Sequence, residues 1–309
     1  MTTPIILDCD PGHDDAIALL LALASPELEL LAVTTTHGNQ TLEKTTANAI
    51  RVLEFAGRGD IPVAAGADRP LVRDSYVAAY VHGETGLDGP SLPPPQASPV
   101  DQHAVDLVAE HVLGSEQAVT LVPTGPLTNI ALFLARHPEA AARVERVVLM
   151  GGAIAEGNVT PAAEFNIWAD PEAAHRVFSS GLDVTMIGLD VTHKALVGPA
   201  DTERLRSSGR IGRMVAELLD FYVRFHRRQY GWDGSPIHDA VAVAHVVRPD
   251  LVETLKRGVK IDTGGELSRG RTYVDLWRRA EWEPNAHVGV DIDAPEFLEF
   301  LLRRLENLE

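Results

Sequence analysis

The sequence Ile5-Ile6-Leu7-Asp8-Cys9-Asp10-Pro11-Gly12-His13-Asp14-Asp15 runs from an apolar strand through a turn into an apolar helix. Alternation along the strand places Asp8 and Asp10 on one face, and the turn brings Asp14 and Asp15 back to the strand's carboxyl end. Charges this close raise each other's pKa, and a helix N-terminus offsets only roughly 0.3–1 kcal/mol per charge. We therefore expect a hard divalent cation here; a capping aspartate beside a solvated acidic turn is the alternative.

The composition limits the class of protein and its partners. With 309 residues, 45% of them hydrophobic, the chain is long enough for one large α/β domain or two ordinary ones. Its 27 Lys and Arg against 44 Asp and Glu leave a net charge of −17, which disfavours nucleic acid and anionic membranes as partners. Small neutral or cation-assisted substrates fit this charge better.

Cysteine usage and the N-terminal segment predict a cytoplasmic protein. The single cysteine, Cys9, cannot form an internal disulfide and lies inside the first predicted strand, so its expected role is packing. The apolar run 16–24 follows acids, has no basic segment before it and is too short to span a bilayer. We therefore expect neither a signal peptide nor a membrane anchor.

Short apolar runs alternate with longer helical patterns over the first two thirds of the chain. The predicted strands cover residues 4–10, 28–36, 61–65, 119–123, 144–150 and 184–190. The helices predicted between them cover residues 14–24, 42–56, 127–136 and 171–180. This alternation is typical of an α/β fold with an open, mostly parallel, twisted sheet and helices on both faces.

The last third departs from this alternation. Helices are predicted over residues 201–207, 211–230, 237–247 and 295–305, and short strands over 259–262, 271–276 and 287–290. We expect these late strands to extend the edge of the sheet. The proline-rich segment 89–95 is predicted to be an exposed loop, and no boundary divides the chain, so residues 1–309 are predicted to form a single domain.

Polar side chains follow several of the predicted strands. In open parallel sheets ligands bind beyond the carboxyl ends of the strands, so these residues are candidates for a site. Asn39, Asn158, Glu164 and Asn166 can each bridge hydroxyl groups, which suits a sugar. Taken singly, each asparagine is also a common turn residue, and Glu164 is also typical of a solvated loop charge.

Three further segments have both a functional and a structural interpretation. His238 and Asp239 open an apolar helix, either as a general acid and a metal ligand or as a surface histidine and a helix cap. The loop around His82 is either a mobile lid or a polar connection. Tyr222 and His226 lie one helical turn apart, in an aromatic stripe that is more typical of a core than of a ligand wall.

Several standard catalytic motifs are absent from the sequence. They are Gly-x-x-x-x-Gly-Lys-Ser/Thr, Gly-x-Gly-x-x-Gly after the first strand, Gly-x-Ser-x-Gly, His-Glu-x-x-His and paired Cys-x-x-Cys. Hydrolysis at a metal–carboxylate site, with water as the nucleophile, remains compatible with the sequence.

The stretch from Asp8 to Ala16 resembles the N-terminal signature of the inosine-uridine preferring nucleoside hydrolases. Further matching segments follow in the family's order: Thr36-His37-Gly38-Asn39, Pro123-Thr124-Gly125-Pro126-Leu127-Thr128-Asn129, Met150-Gly151-Gly152, Glu164-Phe165-Asn166, Asp170-Pro171-Glu172-Ala173-Ala174 and His238-Asp239. The resemblance implies an α/β enzyme of nucleoside catabolism and salvage that hydrolyses the N-glycosidic bond of purine or pyrimidine ribonucleosides. It also implies a bound calcium ion, a small ribonucleoside substrate and a homotetramer or homodimer.

The resemblance assigns the metal site and the general base. Asp10, Asp15 and Asp239 would bind calcium through their side chains, and Thr124 would bind it through its backbone carbonyl. Oxygen ligands suit a hard cation, and a flexible shell of about 6–8 ligands favours calcium over magnesium. Asp14 would be the general base that takes a proton from the metal-bound water.

The resemblance also assigns the substrate contacts. Those to the ribose are Asn39, Met150, Asn158, Glu164 and Asn166, and those near the base are His82, Tyr222, His226 and His238. An unperturbed histidine has a pKa of about 6.5, so we expect His238 to protonate the leaving base and both purine and pyrimidine nucleosides to be accepted. Broad-specificity members commonly have tyrosine where this chain has His226, so His226 and His82 are alternative donors.

Two rival functions fit part of this pattern. A haloacid-dehalogenase-type phosphatase has an acidic pair like Asp8 and Asp10, but it binds magnesium and needs a later phosphate-binding lysine that has no counterpart here. A calcium-dependent nucleoside-binding or sugar-binding protein without turnover would use the same ligands. The presence of Asp14 beside Asp15 favours an enzyme over a binding protein. The resemblance gives Asp8 no direct role in metal binding.

Overall fold

The computed structural model of the protein describes residues 2–308. Within this range the strands are β1 Thr3–Cys9, β2 Leu28–Thr35, β3 Val63–Ala65, β4 Val119–Pro123, β5 Val144–Met150, β6 Val184–Ile187, β7 Leu196–Val197, β8 Ser235–Pro236, β9 Val252–Arg257, β10 Val259–Ile261, β11 Thr272–Val274 and β12 Ala286–Ile292. The helices are α1 His13–Leu23, α2 Leu42–Phe55, α3 Ala79–His82, α4 Ala104–Gly114, α5 Thr128–Arg136, α6 Pro138–Ala141, α7 Phe165–Ala169, α8 Pro171–Phe178, α9 Leu189–Thr192, α10 Pro199–Arg206, α11 Arg210–Tyr230, α12 His238–Val247 and α13 Ala294–Glu306, and Pro249–Leu251 forms a 3-10 turn.

Eight strands form one sheet in the order β3-β2-β1-β4-β5-β6-β12-β9. Neighbouring strands are parallel except β12 and β9, which are antiparallel. The chain moves outward in one direction from β1 to β3 and in the other direction from β4, so the strand order reverses between β1 and β4. A ligand crevice forms at the carboxyl ends of the strands at such a point. The acidic motif follows β1 and Thr124 follows β4, so both lie at this crevice.

Helices cover both faces of the sheet because the side chains of its central strands alternate between two hydrophobic cores. Leu7 and Val122 belong to one core, together with side chains of α1, α2, α11, α12 and α13. Ile6 and Leu121 belong to the other, together with side chains of α4, α5 and α8. Cys9 is buried in the first core, which is the packing role expected for it. The predicted α/β fold, with a mostly parallel sheet covered on both faces, is confirmed.

The last third of the chain differs from the prediction. β12 joins the main sheet beside β6, but β10 and β11 form a separate antiparallel hairpin. The prediction that all three late strands extend the sheet edge is therefore wrong. The outer strand is instead β9, which the sequence pattern does not reveal because Glu253 and Lys256 interrupt its apolar residues. Exposed charges of this kind protect an edge strand from pairing with other chains.

Within the described range, five helices lie where no helix was predicted, namely α3, α4, α6, α7 and α9. The predicted strand 184–190 ends at Ile187, because Gly188 introduces α9 and places Asp190 in a helix. α4 was missed because apolar residues occupy most of its positions and leave little periodic contrast. Among the described helices, none combines the length and the hydrophobicity needed to cross a bilayer.

Candidate active site

Three carboxylates converge where the N-termini of α1 and α12 meet. Asp14 and Asp15 lie in the first turn of α1, and Asp239 lies in the first turn of α12. One carboxylate oxygen of each residue lies within 4.8 Å of the others, and all three side chains are buried. The N–H groups at the start of both helices favour negative charge at this place. The acidic motif after β1 and the distant Asp239, both predicted to bind a metal, are therefore adjacent in the fold.

Hydrogen bonds fix the carboxylate of Asp15 on both oxygens. Its Oδ1 accepts from the hydroxyl of Thr124 at 2.9 Å and from the backbone N–H of Asp10 at 3.3 Å. Its Oδ2 accepts from the side-chain amide of Asn39 at 3.0 Å and from the backbone N–H of Gly12 at 3.1 Å. Asp15 thereby ties α1 to the segments that follow β1, β2 and β4.

One buried carboxylate oxygen of Asp10 is not hydrogen-bonded within the described residues. Its Oδ2 accepts from the backbone N–H of Asn39 at 2.6 Å, whereas its Oδ1 has no hydrogen-bond partner among the described residues. Gly38, at φ +154°, packs so closely that a Cβ there would lie 2.0 Å from Oδ2 of Asp10. A buried carboxylate oxygen without a donor is unfavourable unless a cation neutralises it. The surroundings of Asp10 therefore fit a cation.

Burial and mutual repulsion disfavour the charged forms of these acids. Burial, reinforced by the charge of Asp15, raises the pKa of Asp10 well above its usual range and that of Asp14 to about 8. Burial and the charges of Asp14 and Asp15 likewise raise the pKa of Asp239 well above its usual range. A bound divalent cation would reverse these shifts. The donors are all oxygens, the set that a hard cation prefers.

Thr124 and Asp8 complete the surroundings of the acids in different ways. The carbonyl of Thr124 accepts from Nδ2 of Asn166 at 2.7 Å, which leaves a second lone pair for a cation. Oδ1 of Asp8 accepts from the hydroxyl of Thr34 at 2.6 Å and from the side chain of Asn129 at 2.7 Å. These bonds hold Asp8 behind the strand ends, which does not suit the nucleophile of a haloacid-dehalogenase-type phosphatase.

A cleft of about 630 Å³, part of it open to solvent, adjoins these carboxylates. It is lined by twelve of the fourteen predicted site residues, namely Asp14, Asn39, His82, Thr124, Met150, Asn158, Glu164, Asn166, Tyr222, His226, His238 and Asp239. The other two, Asp10 and Asp15, are buried against Asn39 and Thr124. The structure therefore brings the predicted residues together, and their individual roles stay predictions.

One side of the cleft is polar, and its side chains are held by backbone groups. Glu164 caps α7, since its Oε1 accepts from the N–H of Asn166 at 2.9 Å and its Oε2 from the N–H of Gly152 at 2.9 Å. Burial raises the pKa of Glu164 to about 7, and the donated N–H groups oppose this shift. Oδ1 of Asn158 accepts from the N–H of Phe165 at 2.9 Å. These bonds give the side a fixed shape.

The opposite side of the cleft is aromatic. Tyr222 and His226 lie one turn apart on α11 with their rings edge to face, at a centroid distance of 4.4 Å. Nδ1 of His226 lies 3.1 Å from the carbonyl of Tyr222, and Nδ1 of His238 lies 2.7 Å from the hydroxyl of Thr192. Both imidazoles are thus held through Nδ1, which leaves Nε2 for a ligand.

The histidines of the cleft have lowered pKa values. Burial, followed by the charge of neighbouring histidines, lowers the pKa of His82 and of His238 well below the usual range. Burial lowers the pKa of His226 to about 4. The expectation of rings with the ordinary pKa of about 6.5 is therefore wrong, because burial disfavours the imidazolium. A neutral imidazole donates one hydrogen bond. His226 donates it from Nδ1 to the carbonyl of Tyr222, whereas Nδ1 of His238 can accept from the hydroxyl of Thr192, which leaves an N–H at Nε2 of His238 to assist the leaving base.

Five aromatic residues that line the cleft were given no role from the sequence, namely Tyr80, Phe165, His193, Phe225 and Tyr230. Phe225 and Tyr230 continue the stripe of Tyr222 and His226 on α11, which was interpreted as more typical of a core. The helical spacing of that stripe was the available signal. Tyr80 and His193 belong to no motif, and only the fold places them here.

Comparison with known proteins supports the resemblance. The family model of the inosine-uridine preferring nucleoside hydrolases matches residues 5–299. The pyrimidine-specific ribonucleoside hydrolases RihA of Klebsiella pneumoniae and of Salmonella typhimurium are each 52% identical to this chain, over 99% of both sequences. The structure of a purine-preferring ribonucleoside hydrolase from Gardnerella vaginalis superposes with a TM-score of 0.93 at 36% identity, over 99% of both chains. A match this extensive in sequence and in structure shows that the chain belongs to the inosine-uridine preferring nucleoside hydrolase family.

Proposed function

We propose that this nucleoside hydrolase cleaves the N-glycosidic bond of pyrimidine ribonucleosides and releases ribose and the free base. The observation that carries the proposal is the convergence of Asp14, Asp15 and Asp239 at a cleft with hydroxyl-binding groups on one side and aromatic rings on the other. The pyrimidine preference rests on the two relatives of 52% identity, whereas the purine-preferring enzyme is 36% identical. It is narrower than the purine and pyrimidine range expected from the resemblance.

Asp14 is the general base in this proposal. Its neighbour Asp15 is fixed in position by four hydrogen bonds and does not line the cleft, whereas Asp14 does. Asp14 takes one proton from the attacking water, the water oxygen bonds to C1′ of the ribose, and the base leaves with the electrons of the C1′–N bond. A positioned general base typically contributes about 10²–10⁴ in rate.

We propose calcium as the cation, held by Asp10, Asp15, Asp239 and the carbonyl of Thr124. When bound, the ion supplies positive charge that lowers the pKa of a coordinated water and attracts ribose hydroxyl oxygens. Support comes from the all-oxygen donor set and from the unpartnered Oδ1 of Asp10. Carboxylates on three separate segments, joined by a carbonyl, suit the flexible shell of calcium better than the strict octahedron of magnesium.

The polar side of the cleft orients the ribose in this proposal. Asn39, Asn158, Glu164 and Asn166 offer amide and carboxylate groups to its hydroxyls, and Met150 packs nearby. The transition state of glycosidic cleavage has oxocarbenium character, so positive charge develops on the sugar ring. The buried carboxylate of Glu164 stabilises that charge more than it stabilises the neutral substrate, which accelerates the reaction.

The aromatic side receives the base. Tyr222 and Phe225 offer ring surfaces, and His82, His226 and His238 offer hydrogen bonds. A pyrimidine leaves poorly as an anion, so a hydrogen bond to it in the transition state assists departure. We assign this donation to His238, whose Nδ1 is already held by the hydroxyl of Thr192.

The decisive experiment is release of free ribose from uridine, cytidine, inosine and adenosine. We expect kcat/KM for the two pyrimidine nucleosides to exceed that for the purine nucleosides by roughly tenfold or more. Binding without ribose release would favour the calcium-dependent binding protein instead. Faster release from inosine or adenosine would contradict the pyrimidine assignment and leave the hydrolase assignment intact.

A second experiment tests the metal. We expect calcium near one ion per chain, loss of activity after chelation, and recovery with calcium. Calcium should also raise the melting temperature, because a ligand at about 100 times its Kd stabilises the folded state by about 2.7 kcal/mol. Asp10→Asn should weaken calcium binding in calorimetry, whereas Asp60→Asn, an exposed acid paired with Arg58, should not. Bound zinc, or activity indifferent to chelation, would contradict calcium.

The cytoplasmic location and the homodimer or homotetramer stay predictions. Size-exclusion chromatography with light scattering measures the oligomeric state directly.

A further inference from the structure

The segment between β5 and α7 carries Asn158 and Glu164 but forms no helix or strand of its own. Its residues 153–163 are called the sugar loop below. Within the described range, neither Ile154 nor Ala155 bonds to another backbone group. The N–H and C=O groups of Ile154 and Ala155 form hydrogen bonds instead with two side chains from distant parts of the chain.

Asp190 takes both N–H groups. Its Oδ2 accepts from Ile154 at 2.6 Å, and its Oδ1 accepts from Ala155 at 3.1 Å. Asp190 lies in the first turn of α9, directly after the β6 strand of the main sheet. One carboxylate thus grips two successive peptide groups from the side of the sheet.

Arg271 takes both carbonyls. Its Nη2 donates to Ile154 at 2.8 Å, and its Nη1 donates to Ala155 at 2.6 Å and to Ala162 at 3.4 Å. Because Ala162 lies on the returning arm of the sugar loop, one guanidinium joins the two arms. Arg271 directly precedes β11, so it belongs to the hairpin outside the main sheet.

The returning arm connects these contacts to the cleft. The N–H of Asn158 donates to the carbonyl of Ala163 at 3.1 Å, and Oδ1 of Asn158 accepts from the N–H of Phe165 at 2.9 Å. The position of Ala163 therefore determines where Asn158 lies. Hydrogen bonds with one charged partner are about twice as strong as neutral ones, so Asp190 and Arg271 hold the loop firmly.

We propose that Asp190 and Arg271 are positioning residues that hold the sugar loop, and through it Asn158, in the geometry that binds ribose. The assignment of Asn158 to ribose rests on the proposed function. Neither Asp190 nor Arg271 is among the residues that line the cleft as the structure describes it, so both act through the loop. The hairpin of β10 and β11 thereby acquires a role in the site.

The test compares Arg271→Ala and Asp190→Asn with two matched controls. Arg257 also donates to two backbone carbonyls, at 2.9 and 2.8 Å, but away from the sugar loop. Glu54 also accepts from two successive backbone N–H groups, those of Gln96 and Ala97, far from the sugar loop. Arg257→Ala and Glu54→Gln therefore remove the same kinds of bond elsewhere. Arg271→Lys keeps the positive charge, but its single ammonium group can donate to only some of the three carbonyls that Arg271 binds.

Two readouts are needed. Hydrogen exchange measured by mass spectrometry should show faster exchange of the sugar loop in Arg271→Ala and Asp190→Asn, and wild-type exchange there in both controls. KM for uridine should rise roughly tenfold while kcat changes by less than about threefold, because loss of uniform sugar binding raises KM alone. Arg271→Lys should fall between wild type and Arg271→Ala on both measures.

Each outcome decides the proposal. Unchanged exchange of the sugar loop in Arg271→Ala would refute the clamp, whatever the activity. Faster exchange with wild-type KM, or a KM change equal to that of the controls, would refute its positioning of the ribose site. Failure of the wild-type protein to release ribose from any nucleoside would reject the proposed function, and the exchange experiment would still decide whether the clamp exists.

Discussion

The acidic floor of the cleft, Asp10, Asp14, Asp15 and Asp239, and its aromatic wall, Tyr222, Phe225, His226 and Tyr230, are held by different forces. On the floor, Asp15 alone accepts four hydrogen bonds, two of them from backbone N–H groups. The wall depends more on ring contacts, such as that between Phe225 and His226 with centroids 5.2 Å apart, in addition to the hydrogen bond from Nδ1 of His226 to the carbonyl of Tyr222. Directional bonds define atom positions closely, whereas ring packing tolerates exchange of one apolar residue for another.

This contrast predicts that the floor and the wall determine different properties of the enzyme. The chemistry common to all nucleosides should depend on the floor, where a small displacement removes function. The choice of base should depend on the wall, where substitutions of Phe225 and Tyr230 change packing without disturbing the carboxylates. The wall therefore can differ between pyrimidine-specific and purine-preferring relatives while the fold stays the same.

The largest effect should follow Asp14→Asn on the floor. The amide cannot accept the water's proton, so kcat for uridine should fall by about 10²–10⁴. Calcium content and melting temperature should stay near wild type, because the proposed ligands remain. Asp106→Asn, in an ion pair of α4 with Arg136, is the control. Nearly normal turnover of Asp14→Asn would remove this residue from the role of base.

His238→Ala, between floor and wall, should have the next largest effect. Without its hydrogen bond, kcat for uridine should fall by about 10². The rate with p-nitrophenyl riboside, whose leaving group needs no proton, should change by less than about threefold. The control is His245→Ala, a buried histidine further along α12. An equal loss on both substrates would mean that His238 only shapes the site.

Glu164→Gln tests whether the polar side contacts the sugar alone. Loss of a charged hydrogen-bond partner in a buried site should lower kcat/KM by roughly 10–100-fold. Uridine and inosine should lose similar factors, because the ribose is common to both. A loss confined to one base class would contradict the assignment of Glu164 to the sugar.

The smallest effect should follow Phe225→Leu on the wall. An aromatic contact beyond simple burial is worth about 0.5–1.5 kcal/mol, so the uridine-to-inosine ratio of kcat/KM should change by roughly 2–10-fold. Phe221→Leu, on the same helix but stacked on His13, should leave the ratio unchanged. A parallel loss with all nucleosides in Phe225→Leu would contradict the division between floor and wall.

Sequence reasoning reached the floor more easily than the wall. Three of its four acids, Asp10, Asp14 and Asp15, follow β1 within six residues, so a tight turn suffices to bring them together. The sheet was equally accessible, because its buried parallel strands are continuous apolar runs. Asp239 could be assigned to the floor only through the family resemblance, since its own segment fits a helix cap equally well.

What escaped prediction depends on contacts between distant segments. The lowered pKa values of His82, His226 and His238 follow from burial, which a sequence pattern does not state. Asp190 and Arg271 bind backbone groups, and the amino-acid sequence does not show which backbone groups are bound by a side chain. β9 was missed for a related reason, because an edge strand shows its charges to solvent.

The burial of Cys9 makes this chain suitable for site-selective labelling. Its thiol is the chain's only one, lies fully buried, and has its pKa raised well above the usual range by burial and by the neighbouring carboxylates. A thiol that stays protonated and inaccessible does not react with maleimides. A cysteine introduced at exposed Glu156 would then be the single reactive position, and a fluorophore attached there would report whether the sugar loop keeps its position during turnover.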